Sequence, residues 1–264
     1  MFVITGSPRS GTRYMSRLMT ALGLRCDHEV SLRPLATAVD LARWPTLGVG
    51  ESSWMAWCVL PLMVGHRIPV LHVIRNPWDV IDSLTNRNHI LNPLVPNETQ
   101  LQSVRELINA YLPDLFARER RVDRAAAMVV GWNRLIAEQV PSRFVYHLEQ
   151  LDVPTVRKVL AFIGDEKDDA TIEDALATVS TSTNSGYTVD TVPGVSDPDV
   201  ARWVSQYARE QNCDLIKTMK IRDVAGRQSP EELIESMNPV LADEVNEYAA
   251  GHGYSTYELA TAAA

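Results

Sequence analysis

The sequence predicts a single α/β domain over residues 1–264, with a central parallel sheet flanked by helices. Three observations carry that expectation. A short apolar run, FVIT (2–5), ends in a glycine loop, GSPRSGT (6–12), and opens into a helical pattern. A second run, PVLHVIR (69–75), is nearly all apolar and rich in branched residues, as a strand covered on both faces must be. A third, RFVYHL (143–148), also stands between stretches of helical spacing. Strands that alternate with helices imply parallel pairing. Ligands of such sheets bind beyond the carboxyl ends of the strands. Both the glycine loop and the segment after Arg75 fall at such ends.

The elements follow in chain order. After the loop, Tyr14, Met15, Leu18, Met19 and Leu22 recur at helical spacing over 12–24, and Gly23 supplies a stop. TLGVGESSW (46–54) reads as a strand that ends in a loop, and MAWCVLPLMVG (55–65) as a buried helix. Strand 69–75 leads into a helix over 76–87, with Pro77 near its start and Val80, Ile81 and Leu84 on its apolar side. NHILNPLVPNE (88–98) holds two prolines and reads as a loop or lid. Helices are expected at 99–121, 123–140, 153–164 and 169–180. Residues 181–198 are polar with glycine and proline, the composition of a functional loop. The rest is mostly helical, and the tail TYELATAAA (256–264) is expected to fray. A motif-bearing core at 1–151 thus precedes a mostly helical part at 152–264.

Composition narrows the class. A chain of 264 residues, 45% hydrophobic and 22% charged, can bury a large core without staples. A net charge of −8 is not the footprint of a nucleic-acid binder, so any anion site must be a local gathering of arginines. Cys26, Cys58 and Cys213 are odd in number and far apart, which suggests no disulfide framework and no zinc cluster. The longest apolar run, WMAWCVLPLMV (54–64), is too short for a bilayer span, and MFVITG is too short for a signal peptide. The expectation is a soluble, cytoplasmic protein with no metal and no membrane span.

The glycine loop has the spacing of a phosphate loop, yet Thr12 follows Gly11 directly where nucleoside-triphosphate loops insert lysine. Triphosphate cleavage uses that lysine, a hydroxyl on magnesium and an acidic metal partner. Here Arg9 and Arg13 stand around the anion instead. Arginine grips phosphate oxygens through a planar, permanently charged fork. Backbone N–H groups at the helix start add to it.

The second motif is Arg75-Asn76-Pro77, then Asp79, Val80 and, eight positions after Arg75, Ser83. Together the two segments resemble sulfotransferases that use 3′-phosphoadenosine 5′-phosphosulfate (PAPS). Pro8-Arg9-Ser10-Gly11-Thr12 is similar to that family's loop for the 5′-phosphosulfate. The resemblance implies that Arg75 and Ser83 bind the 3′-phosphate and that Tyr14 packs on adenine, while Arg13 joins Arg9 in binding the first anion on the reading of the loop itself. It covers residues 2–85 closely and extends loosely to 151, where RFVYHLEQL (143–151) is similar to a later family strand with an acidic residue before leucine. LGLRCDHE, GESSW and HVIRNPWDVIDSL look like an uncharacterised bacterial and phage branch. The implied fold is the phosphate-loop sulfotransferase fold, and the implied donor and product are PAPS and PAP, without metal. A late family loop that supplies an arginine and glycines to the 3′-phosphate has TNSGYTVDTVPG (183–194) in its region, without arginine.

Sulfuryl transfer needs positive charge on the leaving phosphate, a task for Arg9, and a base for the acceptor's proton. Cytosolic members of the family place a histidine after the second strand, where this chain has GESS. Some bacterial relatives carry a glutamate base in the post-helix loop, where CDHE stands here, and that resemblance puts Glu29 first among the base candidates, then His28, then Glu51, with Asp27 beside them. His72, inside a strand, is expected to be a hydrogen-bonded core residue, and Trp54 and Trp132 to be core. The acceptor is a small molecule, sugar or lipid carrying a hydroxyl or amine, entering over CDHE, GESSW and 88–98. The rival readings are a magnesium-dependent small-molecule kinase and a non-catalytic nucleotide-binding module.

Overall fold

The computed structural model describes residues 1–32, 44–87, 91, 99–141, 144–179 and 228–258. The described residues of 1–184 and 229–264 pack as one compact unit. Their strands form a five-stranded, all-parallel sheet in the order β2-β3-β1-β4-β5, as an α/β fold requires. The strands are β1 Val3–Thr5, β2 Cys26–His28, β3 Gly50–Ser52, β4 Val70–Ile74 and β5 Val145–His147. The helices are α1 Thr12–Ala21, α2 Leu60–Gly65, α3 Pro77–Arg87, α4 Thr99–Tyr111, α5 Arg121–Ala137, α6 Val153–Ile163, α7 Asp169–Thr178, α8 Pro230–Ser236 and α9 Pro239–Gly251.

Register explains why the central strands are apolar on both sides. Val3 pairs with Val70, and both join the apolar cluster built with α3, α5, α8 and α9. Ile4 pairs with Leu71, and these turn to the opposite cluster with α1, α6 and α7. Because side chains alternate along a strand, both clusters draw on the same two strands. β1 lies at the centre, and the chain leaves it toward β2 and β3 on one side and reaches β4 and β5 on the other. The carboxyl end of β1 is therefore the point where the strand order switches direction, the place where ligands of such sheets bind.

Several boundaries differ from the sequence expectation. β2 stands where the sequence shows no strand pattern. It is an edge strand that takes its extended form from pairing with β3, Cys26 to Gly50 and His28 to Ser52. The strand expected over 46–54 is limited to Gly50–Ser52, and the helix expected over 55–65 is a 3₁₀ turn at Trp54–Val59 followed by α2. Ser53 starts that turn by accepting the Met55 N–H at 3.1 Å. The helix expected over 99–121 stops at Tyr111, ahead of Pro113 and of Asp114 with φ 64. Proline disfavours helical backbone in the residue before it. The loop or lid at 88–98, apart from Leu91, and the polar segment 181–198 lie outside the described residues, as does Cys213. Among the described residues no helix is long and apolar enough to cross a membrane. No group of three histidine, cysteine, aspartate or glutamate residues among them could hold a metal ion.

Candidate functional site

The first loop wraps the carboxyl end of β1. Ser10 N–H closes it on Ser7 O at 3.1 Å, and Gly11 adopts φ 107 immediately before α1. No side chain caps α1 and no acidic residue stands in its first turn, so the N–H groups at its start remain available to an anion. Arg9 itself holds φ 71, a left-handed conformation that costs a non-glycine residue about 1–2 kcal/mol. Pro8 and Thr12 are buried in the loop, while Arg13 is exposed at the head of α1. The hydroxyls of Ser7 and Ser10 are buried without a protein partner. Buried polar atoms without partners cost free energy unless a ligand or water satisfies them. An anion with several acceptor oxygens, such as a phosphate, fits that set of donors.

The loop tolerates no added bulk. A Cβ on Gly6 would collide with Ser10 Oγ and with the carbonyl of Val73 on β4. A Cβ on Gly11 would sit 2.6 Å from Leu148, on top of the left-handed backbone. Gly11→Ala is therefore expected to destabilise the fold by about 2–4 kcal/mol, the left-handed and overpacking costs combined. Urea unfolding checks this, and a loss below about 1 kcal/mol would contradict the crowding.

The two motifs meet directly. Arg9 Nε donates to Ser83 Oγ at 2.8 Å across 74 residues of sequence. Ser83 is buried on α3, whose apolar face (Val80, Ile81, Leu84) packs into the core and fixes its position. Arg75 follows β4 and reaches Asp79 at 3.3 Å, one helical turn before Ser83. On its other side Arg75 Nε lies 3.9 Å from Glu149. Glu149 also accepts the Asn76 N–H at 2.9 Å and the Tyr254 hydroxyl at 2.8 Å. The sequence marked Glu149 only as an acidic residue before a leucine-like position, and Tyr254 carried no signal at all.

The base candidates gather beyond β2 and β3. Ser52 organises them: its hydroxyl donates to Thr12 O at 2.7 Å, tying β3 to the start of α1. Its carbonyl accepts His28 Nδ1–H at 2.9 Å and the Glu29 N–H at 3.3 Å. That bond fixes the histidine tautomer, so neutral His28 offers a lone pair at Nε2, 3.8 Å from Glu29 Oε1. Burial lowers the pKa of His28, with the charge of Arg13 acting in the same direction. Burial pushes the Glu29 carboxyl up to about 7, opposed by Arg13. The charge of Arg13 at the head of α1 thus acts on both groups. Glu51 is different. It has no exposed surface, and its Oε1 accepts the N–H groups of Val30, Ser31 and Leu32 at 2.8, 3.2 and 3.3 Å. Its geometry is that of an anchor for the segment that carries Glu29. Asp27 pairs with Arg25 at 3.8 Å on the edge strand.

Tyr14 is 8% exposed and sits among Met15, Leu18 and Met19 in the cluster beneath α1, which leaves little ring surface for a base. The helical period that made it visible is the reason, since positions 14, 15, 18 and 19 share the inward side. His72 is a core residue, as expected, with Nε2–H donated to Asn133 Oδ1 at 2.9 Å, and burial lowers its pKa to about 4. Trp54 and Trp132 are core too, with rings 5.3 Å apart. The late-loop segment 183–194 lies outside the described residues.

No protein-family model matches this chain, and no curated protein does. Among solved structures, mouse sulfotransferase SULT7A1 complexed with PAP is similar to it, at 14% identity over 84% of this chain and 85% of that chain, with a TM-score of 0.42.

Proposed function

We propose that the chain is a PAPS-dependent sulfotransferase. The observation that supports it most is the bond from Arg9 to Ser83, which joins two anion-binding loops at the switch point of the sheet. A triphosphate loop offers one phosphate cradle. A PAPS site needs two, one at the head of α1 and one at Arg75 and Ser83, which an adenosine with phosphates at its 5′ and 3′ positions would occupy. The kinase reading fits less well, because β4 leads into Arg75 where an acidic metal partner would be needed, and Oε1 of Glu51 on β3 already accepts three backbone N–H groups.

Residues 8–13 would hold the 5′-phosphosulfate, and Arg75 with Ser83 the 3′-phosphate. When bound, PAPS supplies an SO₃ group on a good leaving phosphate. The bond from sulfur to the phosphate oxygen breaks, the bond to the acceptor oxygen or nitrogen forms, and PAP leaves. Arg9 places fixed positive charge where the leaving phosphate gains negative charge. Glu29 takes the acceptor's proton, with Ser52 O holding its backbone beside Arg13. The acceptor is a hydroxyl or amine of a small molecule, sugar or lipid. The site of action proposed is the cytoplasm.

Calorimetric titration with PAP and with ATP, with and without magnesium, tests this. PAP is expected to bind at micromolar Kd or tighter without metal, and Arg75→Ala to weaken it about 10–100-fold, the worth of a hydrogen bond to a charged group. Magnesium-dependent ATP binding with no PAP binding would overturn the reading.

A further inference from the structure

The C-terminal segment 252–258 runs across the amino end of α3 and is tied there at three places. Tyr254 donates its hydroxyl to Glu149 Oε2 at 2.8 Å. The Trp78 indole donates to Ser255 O at 3.2 Å, and the Tyr257 ring stands edge-on to Trp78 at 5.5 Å. The Asn246 amide closes a paired contact with the Tyr257 backbone at 2.7 and 2.9 Å. Tyr257, in the tail expected to fray, is thus held down.

What the segment holds is specific. Glu149 Oε1 accepts the Asn76 N–H and faces Arg75 Nε, while Oε2 receives Tyr254. Asp79 engages another edge of the same guanidinium through Nη2. An arginine fork is rigid and planar, so carboxylates bound to its edges fix the plane in which it lies. A carboxylate that turned freely could close the 3.9 Å gap and cover the face an incoming phosphate needs. The Tyr254 hydroxyl occupies one of its oxygens and keeps it from turning. Burial and the neighbouring carboxylate raise the pKa of Tyr254, so it stays a donor across the physiological range.

We infer that Tyr254, acting through Glu149, is a positioning residue that aims Arg75 at the 3′-phosphate and so sets selectivity for a 3′-phosphorylated nucleotide. The inference rests on the function proposed above. Tyr254 is half-buried and loses only its hydroxyl in Tyr254→Phe, so the fold should survive.

The test titrates PAP and 5′-AMP into the wild type, Tyr254→Phe, Arg75→Ala and the double variant, with a thermal melt of each. Tyr254→Phe is expected to lower the preference for PAP over 5′-AMP about tenfold while 5′-AMP affinity and Tm hold. In the Arg75→Ala background it should change the preference by less than about twofold, since coupled residues are not additive. A wild type that does not prefer PAP would sink the function itself. A wild-type preference that Tyr254→Phe leaves intact would sink only this inference. Parallel losses of PAP and 5′-AMP affinity, or a full additional loss without Arg75, would show a merely structural tail and overturn it as well.

Discussion

Glu29→Gln is expected to slow sulfuryl transfer about 10²–10⁴-fold, the usual worth of a positioned base, with PAP affinity unchanged. Initial rates with labelled PAPS over a panel of phenols, alcohols and sugars measure it. The backbone of Glu29 is fixed at φ 55 with its N–H on Ser52 O. Its carboxyl, pushed up to about 7 by burial, changes charge near neutral pH, where a general base works best. The wild-type rate should therefore rise through a limb near pH 7 and lose that limb in the glutamine variant. Stability should move the other way. The native state holds this proton more tightly than the unfolded chain does. Stability falls as pH rises from the ordinary glutamate value of 4.5 through about 7, and Glu29→Gln should remove that slope. His28 gives the opposite signature, because its pKa is lowered from 6.5. A rising limb below 6.5 that survives Glu29→Gln, with turnover intact, would assign the proton to His28.

The parts legible in the sequence are those whose cause is local. β1 and β4 show as apolar runs because both faces are covered, and the glycine loop shows because its spacing is set by backbone geometry. β2 was illegible. Its three residues, Cys26, Asp27 and His28, have no strand pattern and owe their conformation to β3, a case where tertiary pairing overrides propensity. The site follows the same rule. Arg9, Arg75, Ser83 and Glu29 stand in recognisable segments. What holds them does not: the Ser52 carbonyl acts on a histidine 24 positions away, and Tyr254 on a glutamate 105 positions away. Such partners leave no trace in spacing. The same reasoning applies to Glu51, whose Oε1 accepts three N–H groups from residues 30–32, contacts that its place after a strand does not announce.

Trp132→Ala is expected to destabilise the fold by about 3–5 kcal/mol, as truncating a buried tryptophan does. Trp132 has no exposed surface and lies on α5, with its ring 5.3 Å from Trp54 and 5.0 Å from Trp57. Its indole N–H donates to Trp54 O at 2.9 Å, so alanine leaves a cavity and also a buried carbonyl without its donor. For a chain of this size the loss corresponds to a Tm lower by roughly 6–20 °C. Thermal and urea unfolding read it, and a change below about 1.5 kcal/mol would contradict the packing. Trp132→Phe should recover part of the cavity term and none of the hydrogen bond, which separates the two. The consequence reaches the site because Trp54 begins the turn that leaves β3, two residues after Ser52. Ser52 in turn holds His28, Glu29 and the start of α1. Loosening Trp54 should therefore lower turnover in whatever fraction remains folded, more than it lowers PAP affinity at Arg75 and Ser83. Equal losses of both would place the damage in global unfolding and separate the aromatic cluster from His28 and Glu29.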